Sequence, residues 1–394
     1  MTRIISIFLI IFSFGMAVNA GPLVLSVKDS PAITDTLVRK GKAKRAATYV
    51  TMTLKNGTVY MGDYYRKRPH GQGKAIYKNG NVYEGAFVKG KRSGEGKMTF
   101  KNGDSFKGSF HKDSIHGSGK YRYADGRVYS GKWNYGHRTD EGRMEYPNGD
   151  VYTGSWKNGK RSGNGTYLFA GGASYMGGWE NDRYDGVGTF IWGDGSRYSG
   201  KWANGKREGE GEFFAPDGSV YSGEWAGNAC EGKGLYRSAD GDTYKGMFKN
   251  GLWHGKGCFV GSDSSVYKGN FVNGMRDGEG CMTFSNGDTY NGTWKENKRS
   301  GKGVYTWANG DVYEGTWEND FMHGYGVLRQ NGGVEYRGGY SGGSESGAGV
   351  AIDKYGNRYE GTFVEGHRNG KFVVKDADGK VISECEYNLG ILKK

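Results

Sequence analysis

The chain has 394 residues, of which 74 are glycine, 29 tyrosine and only 5 proline. Glycine does not recur every third residue, which excludes a collagen-like chain, and 14% aromatic residues exclude a disordered low-complexity one. A formal net charge of +13 favours anionic partners without specifying any.

Residues 1–20, MTRIISIFLIIFSFGMAVNA, carry Arg3, an apolar run from Ile4 to Phe14 and small residues up to Ala20. A basic start, a short apolar stretch and small residues predict a secretory signal peptide cut near Ala20. The run is short for a membrane span, and an uncleaved membrane anchor is the alternative. Nothing later in the sequence is apolar enough to cross a bilayer. The expected location is the periplasm, the cell surface or the extracellular space. Residues 21–48 read as a polar, basic linker ending in VRKGKAKRAA.

A period of 23 residues then begins. Fourteen copies start at Tyr60, Tyr83, Phe106, Tyr129 and every twenty-third residue to Tyr359. Counting each start as slot 0, slot 2 is glycine and slot 4 is Trp, Phe or Tyr in every copy. Glycine recurs at slots 11, 13 and 20, with Asp140 and Ser264 among the exceptions. Residues two apart share one face of a strand, so Tyr152, Gly154 and Trp156 line one side, the glycine leaving room for flat rings. A second apolar strand follows, as in Tyr167 with Phe169. Pairs such as Asn79-Gly80, Asn102-Gly103 and Asp194-Gly195 tolerate positive φ and predict two-residue hairpin turns there. Slot 7 is Gly, Asn or Asp in all copies but the one with Lys67, predicting a left-handed residue.

Each repeat is therefore a β-hairpin, and neighbouring hairpins join edge to edge. The expected fold is all-β: an elongated single-layer antiparallel β-sheet of fourteen hairpin repeats over residues 49–381. Residues 49–59 supply half a repeat at the front. Residues 382–394 form a C-terminal cap in which Ile382, Glu384 and Glu386 take the slots of Tyr, Gly and Trp. Charge there protects an open sheet edge.

The phrase Y-x-G-x-[WF]-x-x-G-x-x-x-G-x-G resembles the MORN (membrane occupation and recognition nexus) repeat, and the resemblance spans about residues 49–381. It implies an elongated single-layer sheet used as a scaffold, tether or spacer, with acidic-phospholipid contact in some members. Other members carry catalytic domains beside the repeats. The linker and the cap are too short to hold one, so no enzymatic activity and no cofactor are expected.

Several side chains are candidates for function. His70, His116, His254 and His323 all fall at slot 10, which places them in loops, but the nearest lie two repeats, roughly 19 Å, apart. A shared metal ion needs ligands within about 2 Å of it, so no metal site is expected. Cys258 and Cys281 share a slot in adjacent repeats, two strands apart, too far for a mutual disulfide. With Cys230 and Cys385 they read as free thiols. Lys91-Arg92, Lys160-Arg161, Lys206-Arg207 and Lys298-Arg299 fall at slots 8 and 9, joined by Arg68, Arg138, Arg183, Arg276 and Arg368. A regular stack makes these a basic ladder along one rim, suited to lipid phosphates or another polyanion. The competing reading pairs them with Glu95, Glu141, Glu210 and Glu279. Leu252-Trp253 and Phe321-Met322 interrupt the ladder and are candidates for docking a partner or a second copy, or for folding back onto the sheet. The aromatic rows read mainly as the core. The sequence thus describes a non-catalytic, exported scaffold contacting a protein partner or an anionic membrane surface, with homo-oligomerisation open and no nucleic acid expected. The alternative is a glycan or cell-wall binding module using an aromatic groove.

Overall fold

The computed structural model describes residues 47–393. All regular structure among them is β: 31 strands in one open antiparallel sheet, each paired with its neighbours in the chain. Numbered in chain order, β1 (Thr48–Thr53) is the leading half repeat and pairs with β2 (Val59–Tyr65). Then β3 (Arg68–Ile76), β4 (Val82–Val88) and β5 (Lys91–Thr99) continue the meander. The Tyr336 copy keeps the same hairpin, Tyr336 pairing with Ala351.

The two connections of each repeat use different chemistry. Val88 pairs with Lys91 across Lys89-Gly90, whose φ values of 51° and 87° are both left-handed. That is a two-residue type I′ turn, whose twist matches the flanking strands. The Asn-Gly connection differs from the expected two-residue turn. The Gly80 amide donates to the Tyr77 carbonyl (2.8 Å), and the Tyr77 amide donates to that of Asn81 (2.9 Å). Three residues separate the closing pair, and of these only Gly80 has positive φ, 87°. This is a type I turn closed by a glycine bulge. The asparagine acts through its side chain, Asn79 Oδ1 accepting the Asn81 amide at 3.1 Å.

Slot 11 marks a second bulge. Gly85 pairs with Gly96, but Phe87 pairs with Arg92, so Ser93, Gly94 and Glu95 oppose Ala86 alone. Gly94 has φ 95°, and Asp140 adopts 52° at the same slot.

The core is one face of the sheet. Tyr83 is fully buried, and its hydroxyl donates to the Ala86 carbonyl at 2.9 Å. Its ring lies against Gly85 and Gly96, where a Cβ would collide with it. Rings from slots 0 and 4 then alternate across repeats, edge to face. Tyr83 meets Phe87 at 5.1 Å and 90°, and Phe110 of the next repeat at 5.0 Å and 81°. Such pairs add roughly 0.5–1.5 kcal/mol each beyond area burial. Where slot 4 is Trp, the indole reaches back one repeat, Trp156 Nε1 donating to the Gly142 carbonyl at 3.2 Å.

Aspartates staple successive turns. Asp288 accepts the Tyr305 hydroxyl at 2.5 Å and the Ala308 amide at 2.8 Å. These two donors hold its carboxyl below the usual aspartate range. Burial, reinforced by Asp288, pushes Tyr305 up to about 12.

The C-terminal end departs from the expected cap. Slot 13 of the last repeat is Phe372, and its ring lies against Gly361, where the repeat's own slot-0 ring would otherwise sit. Tyr359 turns aside beneath Arg368, whose guanidinium lies 3.8 Å from the ring centre. A register shift between β29 (His367–Lys375) and β30 (Val381–Asn388) pairs Val374 with Ser383. A one-residue slip turns the strand over. Tyr387, and not Ile382, therefore joins the core side, meeting Phe372 at 5.3 Å and 82°. Ile382 is exposed. The expected signal peptide (residues 1–20) and most of the linker (21–48) lie outside the described residues.

Candidate functional site

Slots 8 and 9 open the second strand of each hairpin just past the type I′ turn. Alternation sends them to opposite faces. Lys91, Lys160, Lys206 and Lys298 are exposed, while Arg92, Arg138, Arg161, Arg207 and Arg299 are half-buried on the aromatic side. Each of these arginines clamps the next repeat. Arg207 lies 4.3 Å from the Trp225 ring centre and donates to the Asn228 carbonyl at 2.8 Å. Arg299 lies 4.2 Å from Trp317, donates to the Asp320 carbonyl at 2.8 Å and pairs with its carboxylate at 3.1 Å. Arg138 does the same with Trp156 and the Gly159 carbonyl. Three of the expected glutamate partners are engaged elsewhere, Glu95 by the Ser109 hydroxyl, Glu141 by that of Ser155 at 2.6 Å and Glu279 by that of Thr293 at 2.8 Å, while Glu210 stands across from Glu224. Arg68, in the first repeat, is exposed, as is Arg183.

The apolar pairs divide in the same way. Leu252 and Phe321 are 48% and 56% exposed, on the lysine side. Trp253 stacks on Tyr244 at 4.4 Å and 8°, and Met322 packs against the core. Trp253 thus fills an arginine's place.

The slot-10 histidines lie within strands, not loops. His70 Nδ1 faces the Lys89 amide of the next turn at 3.5 Å, while Asp185 accepts the Asn204 amide from the same slot at 3.0 Å. The slot therefore serves to receive a turn amide. His116 Nδ1 and His254 Nδ1 are buried without a hydrogen-bond partner. Among the described residues, no three His, Cys, Asp or Glu side chains converge as a metal site. All four cysteines are free thiols. Cys258 and Cys281 both pair with Lys268, one from each side, which keeps them two strands apart.

The opposite face of the sheet carries an arrangement that reading single repeats misses. Slot 1 pairs with slot 14 of its own hairpin, and slot 14 pairs with slot 1 of the next. These two slots form one unbroken row across the sheet. Within it Lys97, Lys107 and Lys120 stand side by side on three successive strands. Aligning slots 1 and 14 of consecutive repeats finds this signal. Further along that face a groove of about 730 Å³ is floored by Gly292, Gly303 and Gly315 and lined by Val304, Tyr325 and Arg329.

The MORN repeat model matches thirteen segments between residues 60 and 371, covering residues 60–126, 129–334 and 359–371. The chain belongs to the MORN repeat family. The hairpin that starts at Tyr336 lies between the last two matched segments and folds like the rest. No curated protein sequence matches the chain.

Among solved structures, the TCP domain of SAS-4 from Drosophila melanogaster, in complex with a proline-rich motif of Ana2, is 16% identical, with a TM-score of 0.21. It covers 54% of this chain and 99% of its own. The TCP10 domain of Danio rerio CPAP, with a peptide of STIL, is 12% identical at TM-score 0.10, covering 86% and 100%. A catalytically inactive virginiamycin B lyase from Staphylococcus aureus is 11% identical at TM-score 0.12, covering 82% and 93%. At these scores the likenesses carry no argument. Membership of the family makes this chain a repeat scaffold of the kind that engages proteins or membranes.

Proposed function

We propose that this protein is an exported, non-catalytic scaffold that contacts an anionic membrane surface through the lysines beside its type I′ turns. One observation carries the reading: at slots 8 and 9 the arginine is consumed by the next repeat, while Lys91, Lys160, Lys206 and Lys298 are left exposed. They recur every two to four repeats, roughly 20–40 Å apart along the sheet. Lysine suits this role because its ammonium is a mobile point charge and anionic headgroups are mobile too. The test is co-sedimentation with phosphatidylserine and phosphatidylcholine vesicles at two salt concentrations. Wild type should bind only the anionic vesicles, and less at high salt. Changing all four lysines to Glu should abolish binding, and unchanged binding would refute the rim. A mature N-terminus near residue 21, read by mass spectrometry, supports export, whereas an intact Met1 in the cytosol would refute it.

A second reading rests on the slot-17 rings. Tyr77, Phe100, Tyr123, Tyr146, Phe169 and Trp192 are only partly buried and recur once per repeat. A row of ring faces is the feature a wall glycan stacks on. Salt-insensitive retention on purified cell-wall glycan would favour this reading over the membrane.

A further inference from the structure

The face opposite the aromatic core carries two patches of opposite sign. On β5, β6 (Ser105–His111) and β7 (Ser114–Arg122), Lys97 pairs with Lys107 and Lys107 with Lys120. Like charges placed directly across strands cost stability. All three are exposed, as are Arg122 and Lys132 beside them, and none of the five forms an ion pair among the described residues. Two acids lie beside them on that side: Glu84 stands directly across from Lys97 and bridges to Lys74 at 2.7 Å, and Glu95 is bound to the Ser109 hydroxyl.

The acidic counterpart lies on β15 (Lys206–Phe214) and β16 (Val220–Ala226). There Glu210 pairs directly with Glu224, again like against like, and Glu208 and Glu212 flank Glu210 on the same face. Lys201 and Lys233 on the adjoining strands offset this only in part.

Between the patches the row carries one charge, the exposed Arg143 across from Thr153, and is uncharged beyond it. The central row runs Thr153, Thr166, Met176, Thr189, Ser199. Gly178 contributes no side chain there, and Met176 and Val187 are 65% and 76% exposed.

We infer that this face is the contact surface for a second copy of the chain. A two-fold axis along the strand direction, between β10 (Val151–Lys157) and β11 (Lys160–Leu168), sets β6 of one copy opposite β15 of the other. That places Lys107 against Glu212, with Lys97 and Lys120 one strand spacing to either side. Thr153 and Thr166 meet across the axis, Arg143 falls over Met176, and Lys107 and Glu212 are matched at both ends by the same operation, as an isologous interface requires. Within one chain Lys107 faces a lysine on each neighbouring strand and Glu210 faces a glutamate, and each patch meets the opposite sign when two chains come together. The strands from β5 to β16 span about 50 Å, and a contact strip some 17 Å wide would bury about 1,700 Å² in total, the size of a stable interface. A membrane would use the lysines alone and be repelled by the glutamates, so the second copy is the occupant the charges fit.

The test is the mass of the full chain by light scattering at low and high salt, with folding checked by circular dichroism. Wild type should be a dimer at low salt and dissociate as salt rises. Lys107→Glu/Lys120→Glu and Glu210→Lys/Glu212→Lys should each be monomeric, their dimers weakened at least tenfold. The variant with all four changes should dimerise again, and the two double variants should pair when mixed. A wild type that stays monomeric at every concentration overturns the inference, as do double variants that dimerise like wild type. So does loss of phosphatidylserine-vesicle binding in Lys107→Glu/Lys120→Glu with no change of mass, which would make the lysines a lipid contact.

Discussion

The guanidinium of Arg161 lies 4.2 Å from the ring centre of Trp179, one repeat further along the chain. It also donates to the Asp182 carbonyl at 3.0 Å and to its carboxylate at 3.1 Å. A single side chain thus ties two hairpins through ring, carbonyl and carboxylate. In a repeat array, stability is a sum of repeat terms and nearest-neighbour terms. Arg161 belongs to the second kind. Arg161→Ala should destabilise the array by about 2 kcal/mol, from the lost ring contact and hydrogen bonds. Arg161→Lys should recover less than half of that, because an ammonium cannot lie flat on the indole while reaching both acceptors. Urea denaturation measures both. A lysine variant as stable as wild type would mean that charge alone suffices and that the clamp contributes nothing.

Glycine has two different jobs in this chain, and two substitutions separate them. Gly165 faces the Tyr152 ring, and a Cβ there would meet the ring's hydroxyl and carbon atoms. Tyr152 is fully buried and has no space to withdraw into. Gly171 lies in a connection with nothing near its missing side chain. Gly165→Ala should cost about 3 kcal/mol or more, the overpacking limit for a rigid core, while Gly171→Ala should stay within about 0.5 kcal/mol of wild type. Thermal unfolding followed by near-ultraviolet circular dichroism reports both, since the signal comes from the packed rings. Equal effects would show that the rings are not seated on the glycines.

Much of this arrangement could be read from the sequence because the repeat is strict. Tyr, Gly and Trp at slots 0, 2 and 4 identify a strand and its buried face, and fourteen copies in register leave only an edge-to-edge meander. What departs from the repeat-by-repeat pattern depends on contacts between repeats. Asn79-Gly80 and Lys89-Gly90 both end in glycine, and only the strand pairing shows that the second is the two-residue turn. Arg161 and Lys160 are neighbours of like charge in sequence, yet alternation gives one to the core and one to solvent. Phe372 is a single departure at slot 13, but it displaces Tyr359 and accompanies the register change that brings Tyr387 inward. The lysine row needed Lys97 of one repeat to be set beside Lys107 of the next. Local pattern determines the rung, whereas the neighbouring rung determines what a side chain does.

Glu345 offers a test of that rule at the one repeat where an acid occupies the arginine slot. It pairs with Tyr340 in the hairpin, whose buried hydroxyl has no hydrogen-bond partner. Burial raises the Glu345 carboxyl above the usual range, against a smaller opposing pull from Arg368 and His367. A folded-state pKa above the unfolded value of 4.5 means that the folded chain holds this proton more tightly. Its contribution is therefore fully present below pH 4.5 and is lost as pH rises through the raised value. Urea midpoints measured from about pH 4 to 7 should show that decline in wild type. The step should vanish in Glu345→Gln, which cannot ionise. Glu345→Arg goes further, because it should lay a guanidinium on Phe363 and reach the Gly366 carbonyl, as Arg161 does with Trp179 and Asp182. That variant should be about 1 kcal/mol more stable than wild type at neutral pH. If Glu345→Gln keeps the full pH step, the titrating group lies elsewhere. If Glu345→Arg destabilises, the slot has become specific to its acid, and the clamp is not a transferable part of the repeat.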